Sequence, residues 1–187
     1  ITEAVEQFSG VTVVIAANSN EAVRLEKEIS FFLGCNDNTN DRAELLLSLP
    51  DWETLPYDTF SPHQDIVSER LASLYRLPTL KQGVLVVALT TLMHRLPPKS
   101  FLEGYSLVLD VNEKFDIEDT RKRLQSCGYR CVDTVLEHGE FAIRGSIVDI
   151  YPMGSQKPYR IELFDDEIET LRTFDPETQR SNKQVDS

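Results

Sequence analysis

The stretch VTVVIAANSNEAVRLEKEISFFLG, residues 11–34, decides the fold of the first part of the chain. It opens with an apolar run of strand length, VTVVIAA, which is typical of a strand buried on both faces. Asn18 or Ser19 can cap the helix that follows, because Glu21 stands three residues after Asn18 as in a capping box. Apolar residues then recur at helical spacing until Gly34. The stretch therefore predicts a strand followed by a helix.

The same alternation continues through the first part of the chain. A short apolar strand is predicted at Leu45–Leu49, and the apolar residues of segment 66–77 fit one face of a helix. A third buried strand is predicted at Val84–Leu89, followed by a helix over Thr90–Leu96. Strands that alternate with helices need crossover connections and lie parallel. Residues 1–103 are therefore predicted to form an α/β domain with a parallel sheet.

The pattern changes in the second part of the chain. A helix over Asp116–Cys127 begins with acidic residues and continues with basic ones, which suits the helix dipole. The predicted strands around it are Tyr105–Leu109, Arg130–Leu136, Phe141–Ile150, Tyr159–Phe164 and Ile168–Phe174. Because the last four follow one another closely, they are expected to pair as antiparallel hairpins. Residues 104–178 are therefore predicted to form a smaller α+β domain with an antiparallel sheet, and residues 179–187 a frayed tail.

The charge of the chain limits the partners that it can bind by itself. Its 187 residues include 19 Lys and Arg against 31 Asp and Glu, a formal net charge of −12. Such a chain lacks the basic surface that binding to a phosphate backbone usually requires, so autonomous nucleic-acid binding is disfavoured. The longest apolar runs are too short to cross a bilayer, which indicates a soluble protein. The chain begins at Ile1 without a methionine, and we expect a segment of a longer protein.

The cysteines indicate a reducing compartment. Cys35, Cys127 and Cys131 cannot all pair with one another, and their spacing is not that of zinc or redox motifs. We therefore interpret them as free thiols and expect a cytoplasmic protein.

A possible metal site is weakly supported. Glu137, His138 and Glu140 carry metal-capable atoms, but they are sequence neighbours at a strand end and no second cluster completes a ligand shell. A solvated bend is the favoured interpretation. We expect no metal ligand in this chain.

A nucleotide site is the first function to look for in a parallel-sheet domain. No GxxxxGK[ST] loop, which would hold phosphates through backbone amides and a lysine, occurs in the sequence. The run IELFDDE, residues 161–167, resembles an apolar strand ending in the acidic pair of an ATPase. A hairpin turn at Asp165 and Asp166 is favoured instead, because strand patterns flank the pair closely. We expect no catalytic residue and no cofactor.

Two arginines stand out in the strand-rich part. Alternation puts Arg160 on the sheet face that it shares with Glu162 and Phe164, and Arg144 precedes a glycine in another predicted strand. An exposed arginine and phenylalanine on one face are typical of a protein-binding hot spot. A cross-strand ion pair of Arg160 with Glu162 or Glu140 on a solvated face explains the same pattern equally well. The residues alone leave both interpretations open.

Two longer stretches carry a specific resemblance to a known family. They are DWETLPYDTFSPHQDIVSERLASLYRLPTL at residues 51–80, and EHGEFAIRGSIVDIYPMG with PYRIELFDDEIETLRTFD between residues 137 and 175. They resemble the N-terminal, UvrB-like region of the bacterial transcription-repair coupling factor (Mfd) family, and the likeness covers nearly the whole chain. The resemblance implies a degenerate helicase-like α/β domain, similar to domain 1a of the repair protein UvrB and without ATPase motifs. A domain similar to UvrB domain 2, which binds UvrA, is implied after it.

The resemblance also implies a function and three site residues. Arg144, Arg160 and Phe164 match positions of the family's pattern that contact UvrA. The chain is thereby expected to be a non-catalytic adaptor of transcription-coupled nucleotide excision repair that recruits UvrA to RNA polymerase stalled at DNA damage. An ATP-dependent DNA translocase motor and the contacts with RNA polymerase and DNA are expected in other parts of the full-length protein.

The sequence leaves two alternative functions open and departs from the family pattern in one loop. The alternative functions are an ATP-dependent helicase or ATPase fragment, and a DNA-binding module. The missing phosphate-binding loop argues against the first alternative, and the negative charge argues against the second. The departure is the polar loop Asn36–Asp41, which is longer than expected of the family.

Overall fold

The computed structural model describes residues 2–34, 45–54, 57–99, 102 and 109–185. The chain divides into two compact units, Ile1–Glu103 and Gly104–Ser187. Each unit has its own sheet and its own core. The loop Asn36–Asp41, Cys35 and all but the last residue of the predicted strand Tyr105–Leu109 lie outside the described residues.

The first unit follows the predicted order of strands and helices. Its elements are α1 (Thr2–Gln7), β1 (Val11–Ala16), α2 (Ser19–Leu33), β2 (Leu46–Leu49), α3 (Gln64–Arg76), a 3-10 turn (Leu77–Thr79), β3 (Gly83–Ala88) and α4 (Leu89–Leu92). Asn18 caps α2, since its Oδ1 accepts a hydrogen bond from the Glu21 amide at 2.9 Å. Gly34, at a φ of +71°, ends this helix in the left-handed conformation that glycine favours. The helix predicted over Thr90–Leu96 is shorter than expected, because the amides of Met93 and His94 bond to carbonyls three residues back.

The three strands form a parallel sheet in the order β1-β3-β2, which confirms the predicted parallel arrangement. The central strand β3 is buried along its whole length. Val84 of β3 clusters with Ile29 of α2, whereas the next residue, Leu85, clusters with Leu74 of α3. Because neighbouring residues of a strand point to opposite faces, the two helices cover the two faces of β3.

The strand β1 differs from its prediction. Its run VTVVIAA predicted burial on both faces, but Val13 is 49% and Ile15 is 56% exposed. The strand order explains the difference, because β3 and not β1 lies between two strands of this sheet. A continuous apolar run therefore predicted the strand correctly and its burial incorrectly.

The described residues of the second unit, 109–185, form one helix and a six-stranded sheet. Its elements are α5 (Ile117–Ser126), β4 (Arg130–Cys131), β5 (Glu140–Arg144), β6 (Ile147–Tyr151), β7 (Tyr159–Phe164), β8 (Glu167–Phe174) and β9 (Ser181–Val185). The strands follow one another across the sheet in chain order. The pair β4 and β5 is parallel, and every later pair is antiparallel. This sheet is separate from the first, as predicted.

The two faces of the second sheet are packed differently. Ile161 and Leu163 of β7 belong to the main core, together with Leu124 of α5. The helix therefore covers this face. On the opposite face a smaller apolar cluster includes Ala142 and Phe174.

Two strand predictions in the second unit were wrong in extent. The predicted strand Phe141–Ile150 is two strands, since Gly145, at a φ of +62°, lies in the turn that reverses the chain between β5 and β6. The predicted strand Arg130–Leu136 shrinks to the two residues of β4 and pairs parallel rather than as a hairpin. Further along, the amides of Leu136 and its neighbour Glu137 donate to the Glu140 carboxylate, each at 2.9 Å, instead of to a strand.

The predicted tail of residues 179–187 was also wrong for Ser181–Val185, which forms β9. This segment reads SNKQV and has no apolar alternation. It joins the sheet through backbone pairing with β8, with Leu171 opposite Val185. Backbone hydrogen bonds at a sheet edge do not depend on apolar side chains, so the sequence pattern did not reveal this strand.

Candidate protein-binding face

The three predicted site residues all lie on the sheet face opposite the main core of the second unit. Ile161 and Leu163, which alternate with Arg160 and Phe164 along β7, are 1% and 6% exposed on the core side. This burial confirms the alternation predicted from the sequence. Arg144 ends β5, and β6 separates this strand from β7, which carries Arg160.

A buried aspartate of β6 joins the two arginines. Asp149 is opposite Arg160 in the strand register and has no exposed surface. Its Oδ1 accepts a hydrogen bond from Arg160 Nε at 2.7 Å, and its Oδ2 accepts one from Arg160 Nη2 at 2.9 Å. Arg144 Nη2 donates to the same Oδ2. We call Arg144, Asp149 and Arg160 the Arg-Asp-Arg array.

The carboxylate that binds Arg160 directly is neither of the two named in the ion-pair alternative, although Glu162 also attracts Arg160 electrostatically. Glu140 pairs with Arg130 Nη2 at 3.0 Å, and Glu162 accepts a hydrogen bond from Thr170 Oγ1 at 2.8 Å. The sequence contained one signal for the true partner. Asp149 stands alone between apolar neighbours in IVDIY, and a carboxylate in such a strand needs a cation when it is buried.

The two arginines of the array are held differently. Arg160 Nη1 also donates to the Gln179 carbonyl and to Ser181 Oγ, both at 3.2 Å, and its guanidinium lies 4.8 Å from the centre of the Phe174 ring. Only 14% of the Arg160 side chain is exposed, against 47% for Arg144. The hydrogen bonds to Asp149 raise the pKa of Arg160 above its usual value. Arg144 is therefore half exposed and Arg160 is largely buried, because the register places Arg160 beside a buried carboxylate.

Phe164 is the most exposed of the three predicted residues. It ends β7, and 75% of its surface is exposed. Asp165 and Asp166 follow it as the two-residue turn between β7 and β8, which confirms the predicted hairpin. Asp165 has the positive φ, +58°, that such turns require. Asp166 binds Lys114 Nζ at 3.2 Å.

The side chains of the metal-capable residues Glu137, His138 and Glu140 contact other groups. Glu137 shares Arg130 Nη2 with Glu140 at 3.0 Å, and His138 Nε2 lies 2.9 Å from the Ser155 carbonyl. Glu140 is only 7% exposed, so the interpretation as a solvated bend is wrong for this residue. Its burial follows from the hydrogen bonds that its carboxylate accepts. Among the described residues, no three potential metal ligands come together.

The first unit places carboxylates where related α/β sheets bind ligands, at the carboxyl ends of the strands. After β1, the Ala17 amide donates to Glu21 Oε2 at 3.0 Å. After β2, Asp51 accepts hydrogen bonds from Ser19 Oγ at 3.1 Å and from Thr90 Oγ1 at 2.8 Å. Glu21 and Asp51 thus accept hydrogen bonds from Ala17, Ser19 and Thr90 at this edge, and their negative charge disfavours phosphate.

The second unit matches a known protein family. Residues 107–187 match the family described as the UvrB interaction domain. The class of protein is therefore one whose chain carries an interaction domain after a parallel α/β unit. In the part that the structure describes, Cys127 and Cys131 are free thiols, and no helix is long and apolar enough to span a membrane.

The whole chain has relatives with one shared name. It is 47% identical over its full length to the transcription-repair-coupling factor of Escherichia coli K12 and 43% identical to that of Haemophilus influenzae Rd. It is 36% identical, over 92% of its length, to that of Staphylococcus haemolyticus. Over nearly its whole length the chain is therefore similar to one region of the transcription-repair-coupling factors (Mfd), and it spans 14–16% of the length of these relatives.

Proposed function

We propose that this chain is a non-catalytic adaptor module of transcription-coupled nucleotide excision repair, which recruits UvrA to RNA polymerase stalled at DNA damage. The observation that carries the proposal is the Arg-Asp-Arg array, which lies on the same sheet face as the exposed Phe164. This face belongs to the unit that matches the UvrB interaction domain. The relatives named for transcription-repair coupling support the repair context.

The chemistry of this face suits an acidic partner surface. Two guanidiniums share one carboxylate in the array, so the array itself carries one net positive charge, while Glu162 on the same face attracts Arg160 rather than the more exposed Arg144. Part of the Arg144 guanidinium faces solvent, and a guanidinium can bind a carboxylate through two parallel hydrogen bonds. Phe164 adds an apolar anchor, and hot spots of protein interfaces are enriched in arginine and aromatic residues. The partner surface on UvrA is therefore acidic, with an apolar pocket beside the acidic groups.

The same proposal assigns roles to the two parts of the chain. Residues 1–103 are a degenerate helicase-like α/β domain similar to UvrB domain 1a, and residues 104–187, with β9, are the UvrA-binding domain. The adaptor uses neither a cofactor nor a catalytic residue. The carboxylates of Glu21 and Asp51 at the ligand-binding edge of the first sheet support this assignment, because they disfavour a nucleotide.

The remaining activities are assigned to the rest of the full-length protein. The chain spans only 16% of its Escherichia coli relative, which leaves ample sequence for an ATP-dependent DNA translocase and for contacts with RNA polymerase and DNA. The formal charge of −12 supports recruitment through protein contacts rather than through DNA. The cytoplasm, where bacterial transcription takes place, is the proposed compartment.

A binding measurement with purified UvrA tests the proposal. The chain is titrated by calorimetry with UvrA, beside the charge reversal Arg144→Glu and the matched reversal Arg121→Glu. Arg121 lies on α5, which covers the opposite face of the sheet, and is 40% exposed. We expect binding by the wild type and Arg121→Glu and none by Arg144→Glu. Absence of wild-type binding, or equal binding by all three proteins, contradicts the proposal.

A further inference from the structure

The aspartate of the Arg-Asp-Arg array is unusual for its place in the fold. Asp149 lies on β6, between β5 and β7, and has no exposed surface. Burying a carboxylate is costly, and apolar residues of similar volume often stabilise such a position as well or better than an ion pair does. The stability of the sheet alone therefore does not explain why a charged group stands here.

The contacts of the two arginines point to a role for Asp149 beyond the fold. Arg160 is fixed from other sides as well, by the Gln179 carbonyl, Ser181 Oγ and the Phe174 ring. In the part of the chain that the structure describes, the Arg144 side chain donates its hydrogen bond to Asp149. Without Asp149, Arg144 would be a long, half-exposed side chain free to sample many rotamers.

We infer that Asp149 is a positioning residue for partner recognition, which holds the Arg144 guanidinium in its binding orientation before the partner arrives. The inference rests on the proposed function, and it adds a residue that does not itself touch the partner. Ordering a rotamer-rich side chain during association weakens binding, and an interface that is ordered beforehand avoids this cost. Arg160 balances the negative charge of Asp149, so that the carboxylate can remain buried beside Arg144.

Asp149→Asn is the sharpest variant, because it preserves shape and one acceptor oxygen and removes the charge. UvrA affinity is measured for Asp149→Asn, for Arg144→Ala and for the double variant. We expect Asp149→Asn to weaken binding about tenfold, and to have an effect below about twofold once Arg144 is alanine. Glu118→Gln, which removes one exposed carboxylate on α5, serves as the charge-matched control and should bind like the wild type. Wild-type affinity of Asp149→Asn, or losses that multiply in the double variant, overturns the inference.

A second measurement needs neither UvrA nor a folded Asp149 variant. Nitrogen-15 NMR of the free wild-type chain reports how fast the Arg144 guanidinium rotates about its Nε–Cζ bond. We expect slow rotation for Arg144 and Arg160, and fast rotation for the exposed Arg24, whose ion pairs with Glu21 and Glu28 are longer, at 3.9 and 3.6 Å. Fast rotation of Arg144 overturns the inference. If the wild-type chain does not bind UvrA while Arg144 rotates slowly, the proposed function is wrong, but Asp149 still holds the Arg144 guanidinium in one orientation.

Discussion

Arg160 donates through both Nε and Nη2 to the carboxylate of Asp149, at 2.7 and 2.9 Å, although the two residues are eleven positions apart on neighbouring strands. This two-point contact makes Arg160 a structural part of the second unit, whereas Arg144 remains half exposed at the other side of the same carboxylate. The two arginines are therefore expected to respond differently to substitution.

Arg160→Ala is expected to lower the free energy of unfolding of the second unit by about 2–3 kcal/mol, because it removes the two-point contact and leaves the buried carboxylate with the half-exposed Arg144 alone. Urea unfolding followed by circular dichroism measures this loss. Arg172→Ala is the matched control. Arg172 is opposite Arg160 on β8, and within the described residues the structure gives it no ion pair. Equal stability of the two variants would contradict the structural role of Arg160.

Arg144→Ala is expected to keep the fold and to weaken UvrA binding about thirtyfold, which corresponds to about 2 kcal/mol. The affinity falls because an acidic group on the partner loses its charged hydrogen bond. Calorimetric titration measures the affinity, and thermal unfolding checks the fold. Arg121→Ala, on the helix that covers the other face, should bind like the wild type. The prediction fails if folded Arg144→Ala binds UvrA with wild-type affinity.

Phe164→Ala is expected to weaken UvrA binding about tenfold without lowering stability. The ring is 75% exposed in the free chain, so its removal opens no cavity there, while the complex loses an apolar anchor. Surface plasmon resonance on immobilised UvrA measures the change. Phe60→Ala removes an equally exposed ring, at 80%, from the first unit and serves as the control. A loss of binding that accompanies unfolding of Phe164→Ala would not count as support.

ATP is expected neither to bind nor to be hydrolysed by this chain. The sequence has no phosphate-binding loop, and Glu21 Oε2 already accepts the Ala17 amide at 3.0 Å at the end of β1. Equilibrium titration with a fluorescent ATP analogue and a phosphate-release assay measure the two activities. ATP turnover that disappears in Asp166→Asn would instead support the ATPase alternative. Asp166 would then have a catalytic role in addition to its place in the turn.

Asp51 is expected to make the stability of the first unit sensitive to acid. Burial by itself raises the pKa of Asp51, but the hydrogen bonds from Thr90, Trp52 and Ser19 together hold it below its ordinary value of 3.8. Folding therefore favours the ionised carboxylate. Its stabilisation is complete well above pH 3.8 and is lost as the pH falls through the lower pKa of the folded state.

Asp51→Asn should accordingly reduce the free energy of unfolding by about 1–2 kcal/mol at neutral pH. The difference from the wild type should shrink as the pH falls below 3.8. Urea unfolding at a series of pH values measures both effects. Glu53→Gln removes an exposed carboxylate two residues away and is the control. A difference that stays constant from neutral to acid pH would show that charge at Asp51 contributes nothing.

Local patterns predicted much of the architecture. The capped helix after Asn18 and the turn at Asp165 and Asp166 follow from residue spacing over a few positions, and the parallel arrangement of the first sheet follows from the alternation of strands and helices. Local patterns did not predict β9 at Ser181–Val185, because an edge strand is held by backbone hydrogen bonds that polar residues form equally well. The exposure of Ile15 was also missed, since the order of strands across a sheet is a long-range property.

For the candidate site, the sequence by itself determined which face of β7 carries Arg160 and Phe164, because side chains alternate along any strand. It could not determine that Arg160 is largely buried or that Asp149 joins it to Arg144. These properties depend on which residues become neighbours across β5, β6 and β7, and that register is set when the whole sheet packs. Only the tertiary structure could place one carboxylate between two arginines, because a buried charge is stable only where separate segments of the chain bring its partners to it.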